Sequence, residues 1–274
     1  NLRKQLHHFT CVIDKIPDKH IGLWITLAAC VSLYIEVMVI RMHASFFQLF
    51  AYFKNVSLLS CFLGLGIGYA KGNSKQPLSL PFVLPFLSLQ IAFMHAIRQL
   101  FPQVNSALQN PISEQFAFGM SHAEELSHFI AVYGFLCMIF ASNALVFIPV
   151  GHIASYLMKR RPKLISYSWN LFGSLLGIGL FYFLSFAWTP PSVWMLFACV
   201  LCLPFLWKHL KSLLLSVLSV IPLIIFLNAS FLASHDADIV QAYDLYSPYQ
   251  ILTLKFSQTA HPYLEVNNSY YQKI

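Results

Sequence analysis

Seven long apolar runs set the first limit on what this chain can fold into. They are Ile21–Ile40, Val56–Ala70 (extendable back to Phe46), Leu78–Ala96, Phe129–Ile153, Ile165–Ala187, Val193–Trp207 and Leu213–Leu232. A helix needs about 20 apolar residues to cross the hydrocarbon core of a bilayer, and each run comes near that length, the second and sixth being short. The third contains Pro81 and Pro85, which a membrane helix tolerates where its neighbours satisfy the freed carbonyls. Of the 274 residues, 58% are hydrophobic and only 10% charged, whereas an ordinary soluble domain carries about 25% charged residues. So few charges cannot cover a water-soluble globule of this size. A conventional cytosolic enzyme, a disordered tail and a secreted disulfide scaffold are all excluded, and an all-α polytopic membrane bundle of about seven spans is expected over residues 21–232.

The formal net charge of +7 is best explained by sidedness. Arg3, Lys4, Lys15, Lys19, Lys71, Lys75, Lys159, Arg160, Arg161, Lys163, Lys208 and Lys211 fall in alternate connections, whereas the opposite ones hold only Arg41, Lys54 and Arg98. Such a bias marks the cytoplasmic side. It predicts a cytoplasmic N-terminal segment (1–20), an external 98–127 connection and residence in the inner (plasma) membrane. Lys159-Arg160-Arg161-Pro162-Lys163 then reads as an anchor for lipid headgroups. The lipid bilayer is the expected partner and nucleic acid is not.

Beyond Leu232 the composition turns polar. Residues 233–274 hold Asp236, Asp238, Asp244 and Glu265 and suggest two strands, Tyr249–Phe256 and Tyr263–Asn267 continuing toward Ile274, joined by the polar connection SQTAHP. About 40 residues are too few for a stable domain alone, so a short β-hairpin belonging to a truncated soluble domain is expected, with self-association through it as one way of completing the sheet. The initial Asn fits a processed chain or a fragment.

Polar residues inside apolar runs are the candidates for function. Glu36 is the only acidic residue within a run. An ionised carboxylate at mid-membrane costs about 2.5–3.5 kcal/mol on insertion scales, so it should face the bundle interior with a partner. Arg41 and His43 are the nearest cations in sequence. Two readings stay open: an ion pair locking the first two helices, or a substrate or proton site. Gly64, Gly68, Gly173 and Gly177 have the GxxxG spacing that lets helices approach closely. Asn170 is an amide that must find a hydrogen bond, either as packing glue or as a substrate contact. Cys199 and Cys202 have CxxC spacing but lie within WMLFACVLCLPFLW, where they read as small apolar residues. His122, Glu125 and His128 recur every three residues in SHAEELSH; this spacing matches no zinc motif of known mechanics, and the segment reads as a solvated interfacial turn. No metal ligands and no catalytic residues are assigned.

Three stretches together resemble the membrane-embedded relatives of spermidine synthase, which join a multi-span module to a polyamine aminopropyltransferase-like domain. Tyr34-Ile-Glu36-Val-Met-Val-Ile-Arg41 is similar to the family's YE…R signature, and Gly64–Tyr69 to its glycine-rich second helix. Trp169-Asn170-Leu-Phe-Gly173-Ser174-Leu-Leu-Gly177 resembles its N-x-x-G-S-x-x-G helix. Ser247-Pro-Tyr249-Gln250-Ile251 resembles the S-x-Y-Q-x-I strand that opens the synthase domain. The resemblance implies a helical module followed by the small β-domain that precedes a Rossmann-like domain, and a link to polyamine biosynthesis by a transferase. It also implies a place for Gln250, with Tyr249 beside it, against decarboxylated S-adenosylmethionine or a thioadenosine. Asn267-Asn268 stands where the family has Asp-Gly. The family's glycine-rich loop, ribose-binding acid and catalytic Asp would lie beyond Ile274, so this chain is expected to hold no cofactor and to lack the catalytic region. The other function weighed is a transporter-like helical bundle for a cationic or lipidic solute.

Overall fold

The computed structural model describes the chain apart from residues 1–5, 7–8, 12, 48, 51–52, 73–77, 101–125, 230–238, 249, 258–261, 267–268 and 274. Its helices are α1 (Ile21–Phe46), α2 (Lys54–Lys71), α3 (Val83–Leu100), α4 (Leu126–Met158), α5 (Lys163–Phe186), α6 (Pro191–Leu206) and α7 (Leu210–Ala229), with a 3-10 turn at Leu80–Phe82 leading into α3. Among the described residues, five segments are long and apolar enough to cross a membrane: Asp18–Phe46, Leu80–Ile97, Ile130–Met158, Lys163–Phe186 and Leu210–Asn228. Of the two remaining helices, α2 is 18 residues long with Lys at both ends, and α6 is apolar but has only 16 residues.

The outer surface is as apolar as the helices are long. Leu89, Phe183, Leu218, Ile130, Ile225 and Leu175 are each more than half exposed. In water such a surface would be an aggregation liability, whereas in lipid it is the expected exterior. The chain is a multi-pass helical membrane bundle.

Lipid removes most of the hydrophobic drive between helices, so close backbone approach must supply the packing. α1 packs most extensively on α5, and α2 on α4. A Cβ placed on Gly173 or Gly177 of α5 would overlap the carbonyl oxygen of Thr26 or Cys30 in α1, and one on Gly64 or Gly68 of α2 that of Ala144 or Ile148 in α4. Both GxxxG pairs therefore sit where two helices touch through backbone. α1 is the most enclosed of the candidate spans, and its Tyr34 is fully buried. The Tyr34 hydroxyl donates to the carbonyl of Trp194 in α6 at 2.8 Å, and the Phe181 ring lies edge-on between the two aromatics.

The prolines disturb little at the start of α3. Pro81 lies in the 3-10 turn and Pro85 in the first helical turn, where an amide N–H has no intrahelical partner to lose. No rescue by neighbouring helices is needed there, contrary to the sequence expectation. α5 ends in a Schellman turn: Trp188 N–H donates to Ser185 at 3.1 Å and Thr189 N–H to Leu184 at 3.4 Å. Trp188 takes the left-handed position usually given to glycine, with φ of 57°.

At one end of the bundle the segments flanking α1, α2, α4 and α6 meet. Arg160 reaches Asp18 at 2.6 Å and the Ile16 carbonyl at 2.7 Å, and Arg161 reaches the Asp18 carbonyl at 2.6 Å. Lys159 bonds the Gly72 carbonyl, Leu78 N–H bonds Thr10, and the ring of His209 packs edge-on to Phe9. The four stretches carrying the basic excess thus share one end.

At the opposite end lies an antiparallel four-stranded sheet in the order β1-β2-β3-β4, formed by β1 (Ile239–Tyr246), β2 (Ile251–Ser257), β3 (Tyr263–Val266) and β4 (Ser269–Lys273). Two strands were expected and four form. Tyr246 pairs with Ile251 across the β1–β2 turn, Leu254 pairs with Leu264, and Leu264 pairs with Gln272. The polar connection expected between the two strands lies mostly outside the described residues.

Candidate functional site

Two polar arrangements occupy this fold. The first is a chain of side chains inside the bundle, contributed by α1, α2, α3 and α4. His43 of α1 is buried, with Nδ1 2.8 Å from the Ser57 hydroxyl and Nε2 3.1 Å from the Gln90 amide nitrogen. An amide nitrogen only donates, so Nε2 accepts and the network assigns a neutral ring that donates from Nδ1. The Asn143 amide of α4 is fully buried against α2, where its Nδ2 lies 2.6 Å from Ser60 Oγ, 3.1 Å from Cys61 Sγ and 3.3 Å from the Ser57 carbonyl. That carbonyl can only accept, which fixes the nitrogen on this side and turns Oδ1 the other way.

Glu36, seven residues before His43 on α1, is buried as well. The expected ion pair with Arg41 does not form. Five residues along a helix carry Arg41 past the i+4 position that would face Glu36, and its guanidinium is committed elsewhere. Glu36 Oε2, Gln90 Oε1 and Asn143 Oδ1 are buried without a hydrogen-bond partner among the described residues.

The second arrangement joins the bundle to the sheet. Arg41 Nη2 donates to the Ser247 carbonyl at 2.7 Å, and the Ser185 hydroxyl of α5 donates to the Pro248 carbonyl at 3.2 Å. The turn presenting these carbonyls closes on itself. Ser247 Oγ donates to the Gln250 carbonyl at 2.7 Å and accepts from Gln250 N–H at 3.1 Å, while Ser247 N–H donates to the same carbonyl at 3.0 Å. The turn is thus held before it meets the bundle, which lowers the ordering cost of docking.

Of the residues singled out in the sequence, Arg41 and Gln250 belong to this junction, Gln250 half-buried in its turn. Asn170 is half-buried rather than enclosed and faces the Tyr69 hydroxyl of α2 at 3.4 Å, so it lies apart from the interior chain. Tyr249, His122 and Glu125 fall outside the described residues, as does the side chain of His128. Among the described residues no group of three or more His, Cys, Asp or Glu side chains gathers to hold a metal ion. Sequence reasoning missed Gln90 and Asn143. Each is an amide within an apolar run, FLSLQIAFM and MIFASNALV, so the logic applied to Glu36 would have found both. Comparison with protein-family models, curated proteins and solved structures finds no match to this chain.

Proposed function

We propose that this chain is the membrane module of a spermidine synthase-like protein, crossing the inner (plasma) membrane seven times from a cytoplasmic N-terminus. On this reading its sheet opens the domain that transfers an aminopropyl group from decarboxylated S-adenosylmethionine. The observation that supports it is the meeting of the stretches that carry the resemblance. Arg41 of the first holds the Ser247 turn of the last, Gly173 and Gly177 lie against α1, and Asn170 faces Tyr69 of the glycine-rich helix. The seven-span count is supported by the ends: the basic connections share one end and the sheet sits at the other, as expected if α2 and α6 traverse the bundle. The outer strands β1 and β4 leave two sheet edges, which bind another strand readily and are where a homo-oligomer would form.

In the transfer, an amine attacks the methylene beside the sulfonium; the C–N bond forms, the C–S bond breaks and methylthioadenosine leaves. The test uses membranes from cells expressing the gene's whole reading frame, supplied with decarboxylated S-adenosylmethionine and putrescine. Release of methylthioadenosine above vector-only membranes, reduced by Gln250→Ala, is expected; release equal to vector-only membranes rejects the reading.

A second reading, a transporter-like bundle for a cationic solute, is favoured by the unpartnered carboxylate oxygen of Glu36. It requires uptake of a labelled polyamine into vesicles that Glu36→Gln abolishes while the protein still folds. Undiminished uptake removes it.

A further inference from the structure

We propose that the described residues between 6 and 20 form a strap across the basic end of the bundle, and that Arg160 is the latch holding it shut. The segment is helical at its described residues between 6 and 14. Leu6, Phe9, Ile13 and Ile16 follow the spacing of a helix apolar on one side. Phe9, Ile13 and Ile16 are buried in the same core as Leu78, Leu157 and Leu206, while Cys11, Asp14 and Lys15 are exposed. Segments distant in sequence receive the strap. Thr10 Oγ1 accepts from Leu78 N–H ahead of α3 at 2.9 Å, and the Tyr156 hydroxyl of α4 donates to Asp14. The Phe9 ring meets His209, ahead of α7, edge-on with centroids 6.3 Å apart.

The latch is concentrated just past the end of α4. Arg160, half-buried, donates to the carbonyls of Ile13 at 3.4 Å and Ile16 at 2.7 Å and to the Asp18 carboxylate at 2.6 Å. Arg161 donates to the Asp18 carbonyl at 2.6 Å. The Ile13 and Ile16 carbonyls lie where the strap's helix ends, a place where carbonyls lack intrahelical donors and a cation is favoured. One guanidinium thus caps the strap and ties it to α4. The post is firm and the strap is not. α4 meets α2 backbone at Gly64 and Gly68, whereas the strap is short, and Asp14 and Asp18 are exposed, so water and salt compete for them. Moving elements come from such weakly held parts of a fold. Once lifted, the strap has a resting place, because its apolar side suits the boundary between headgroups and acyl chains. Its release uncovers the core at Leu78, Leu157 and Leu206 and opens a way toward the polar chain at Ser57 and Asn143. The strap does not depend on the aminopropyl-transfer reading.

The experiment uses the full chain in nanodiscs with Cys61 as its one remaining cysteine. Cys61 is fully buried beside Asn143, so its rate of modification by a small cationic methanethiosulfonate reads access to the interior. Arg160→Ala should raise that rate about tenfold or more, the equilibrium shift expected when a hydrogen bond to a charged group is lost. Lys163→Ala, which removes a nearby charge outside the latch, should leave it unchanged. A disulfide between Thr10→Cys and Leu78→Cys should return the rate in Arg160→Ala to that of the wild type. If Arg160→Ala does not fold, Asp14→Asn combined with Asp18→Asn weakens the same latch from the strap's side and should raise the rate in its place. An unchanged rate in the latch variant, or a rise that the disulfide does not reverse, overturns the proposal. So does a rise accompanied by lost hydrogen-exchange protection throughout α2 and α4, which would mean general loosening.

Discussion

Replacing Arg41 by alanine should release the sheet from the bundle while leaving the helices folded. The guanidinium donates to the Ser247 carbonyl at 2.7 Å from a half-buried position, and hydrogen bonds to charged groups contribute about 1.5–3 kcal/mol. A second tie, Ser185 to the Pro248 carbonyl at 3.2 Å, is neutral and longer and is expected to contribute about 0.5–1.5 kcal/mol. Loss of Arg41 therefore shifts the docking equilibrium by about 10- to 150-fold, at 1.4 kcal/mol per decade. Hydrogen–deuterium exchange of intact protein in nanodiscs reads this directly. Peptides covering Ser247 and β2 should exchange faster by that factor, while α1 and α5 keep their protection. Arg41→Lys should recover part of the effect, since an ammonium can reach one carbonyl but lacks the planar fork. Exchange over β2 unchanged in Arg41→Ala would refute the idea that this residue joins the two parts.

Other substitutions separate packing from propensity. Gly64→Ala and Gly68→Ala should each destabilise the protein by about 2 kcal/mol or more, because their new Cβ atoms meet α4 backbone. Gly66→Ala, with nothing within 4 Å of its Cβ, should be neutral or gain up to about 1 kcal/mol; thermal unfolding in one detergent compares all three. Trp188→Gly should relieve a left-handed backbone cost of about 1 kcal/mol and raise Tm, and a lower Tm would mean that the indole contributes more than the strain it causes. Tyr34→Phe loses a buried hydrogen bond to the Trp194 carbonyl and should cost about 1 kcal/mol, seen as earlier melting.

The apolar runs located the seven long helices among the described residues because length and hydropathy are local properties of a chain. Their ends were less legible. α1 continues to Phe46, past Arg41 and His43, because the Arg41 side chain reaches the sheet and His43 is satisfied by Ser57 and Gln90, partners supplied by other helices. β1 was overlooked since Asp236, Asp238 and Asp244 gave IVQAYDLY the look of a polar tail; its strand character comes from pairing with β2. Glu36 was recognisable as an unusual residue, whereas its failure to pair with Arg41 depends on a contact 206 residues away. Spacing showed that the glycines could pack, but not which helix each would meet.

Sided chemical labelling of single-cysteine variants tests the architecture most directly. On a cysteine-free background, Lys19→Cys, Lys208→Cys, Ala187→Cys and Tyr243→Cys are each placed at an exposed position and treated with a membrane-impermeant maleimide in sealed, oriented vesicles. Positions 19 and 208 should label from one side only, and positions 187 and 243 only from the other. Positions 187 and 208 reacting from the same side would show that α6 does not cross, and positions 19 and 243 doing so would contradict a sheet held opposite the N-terminus.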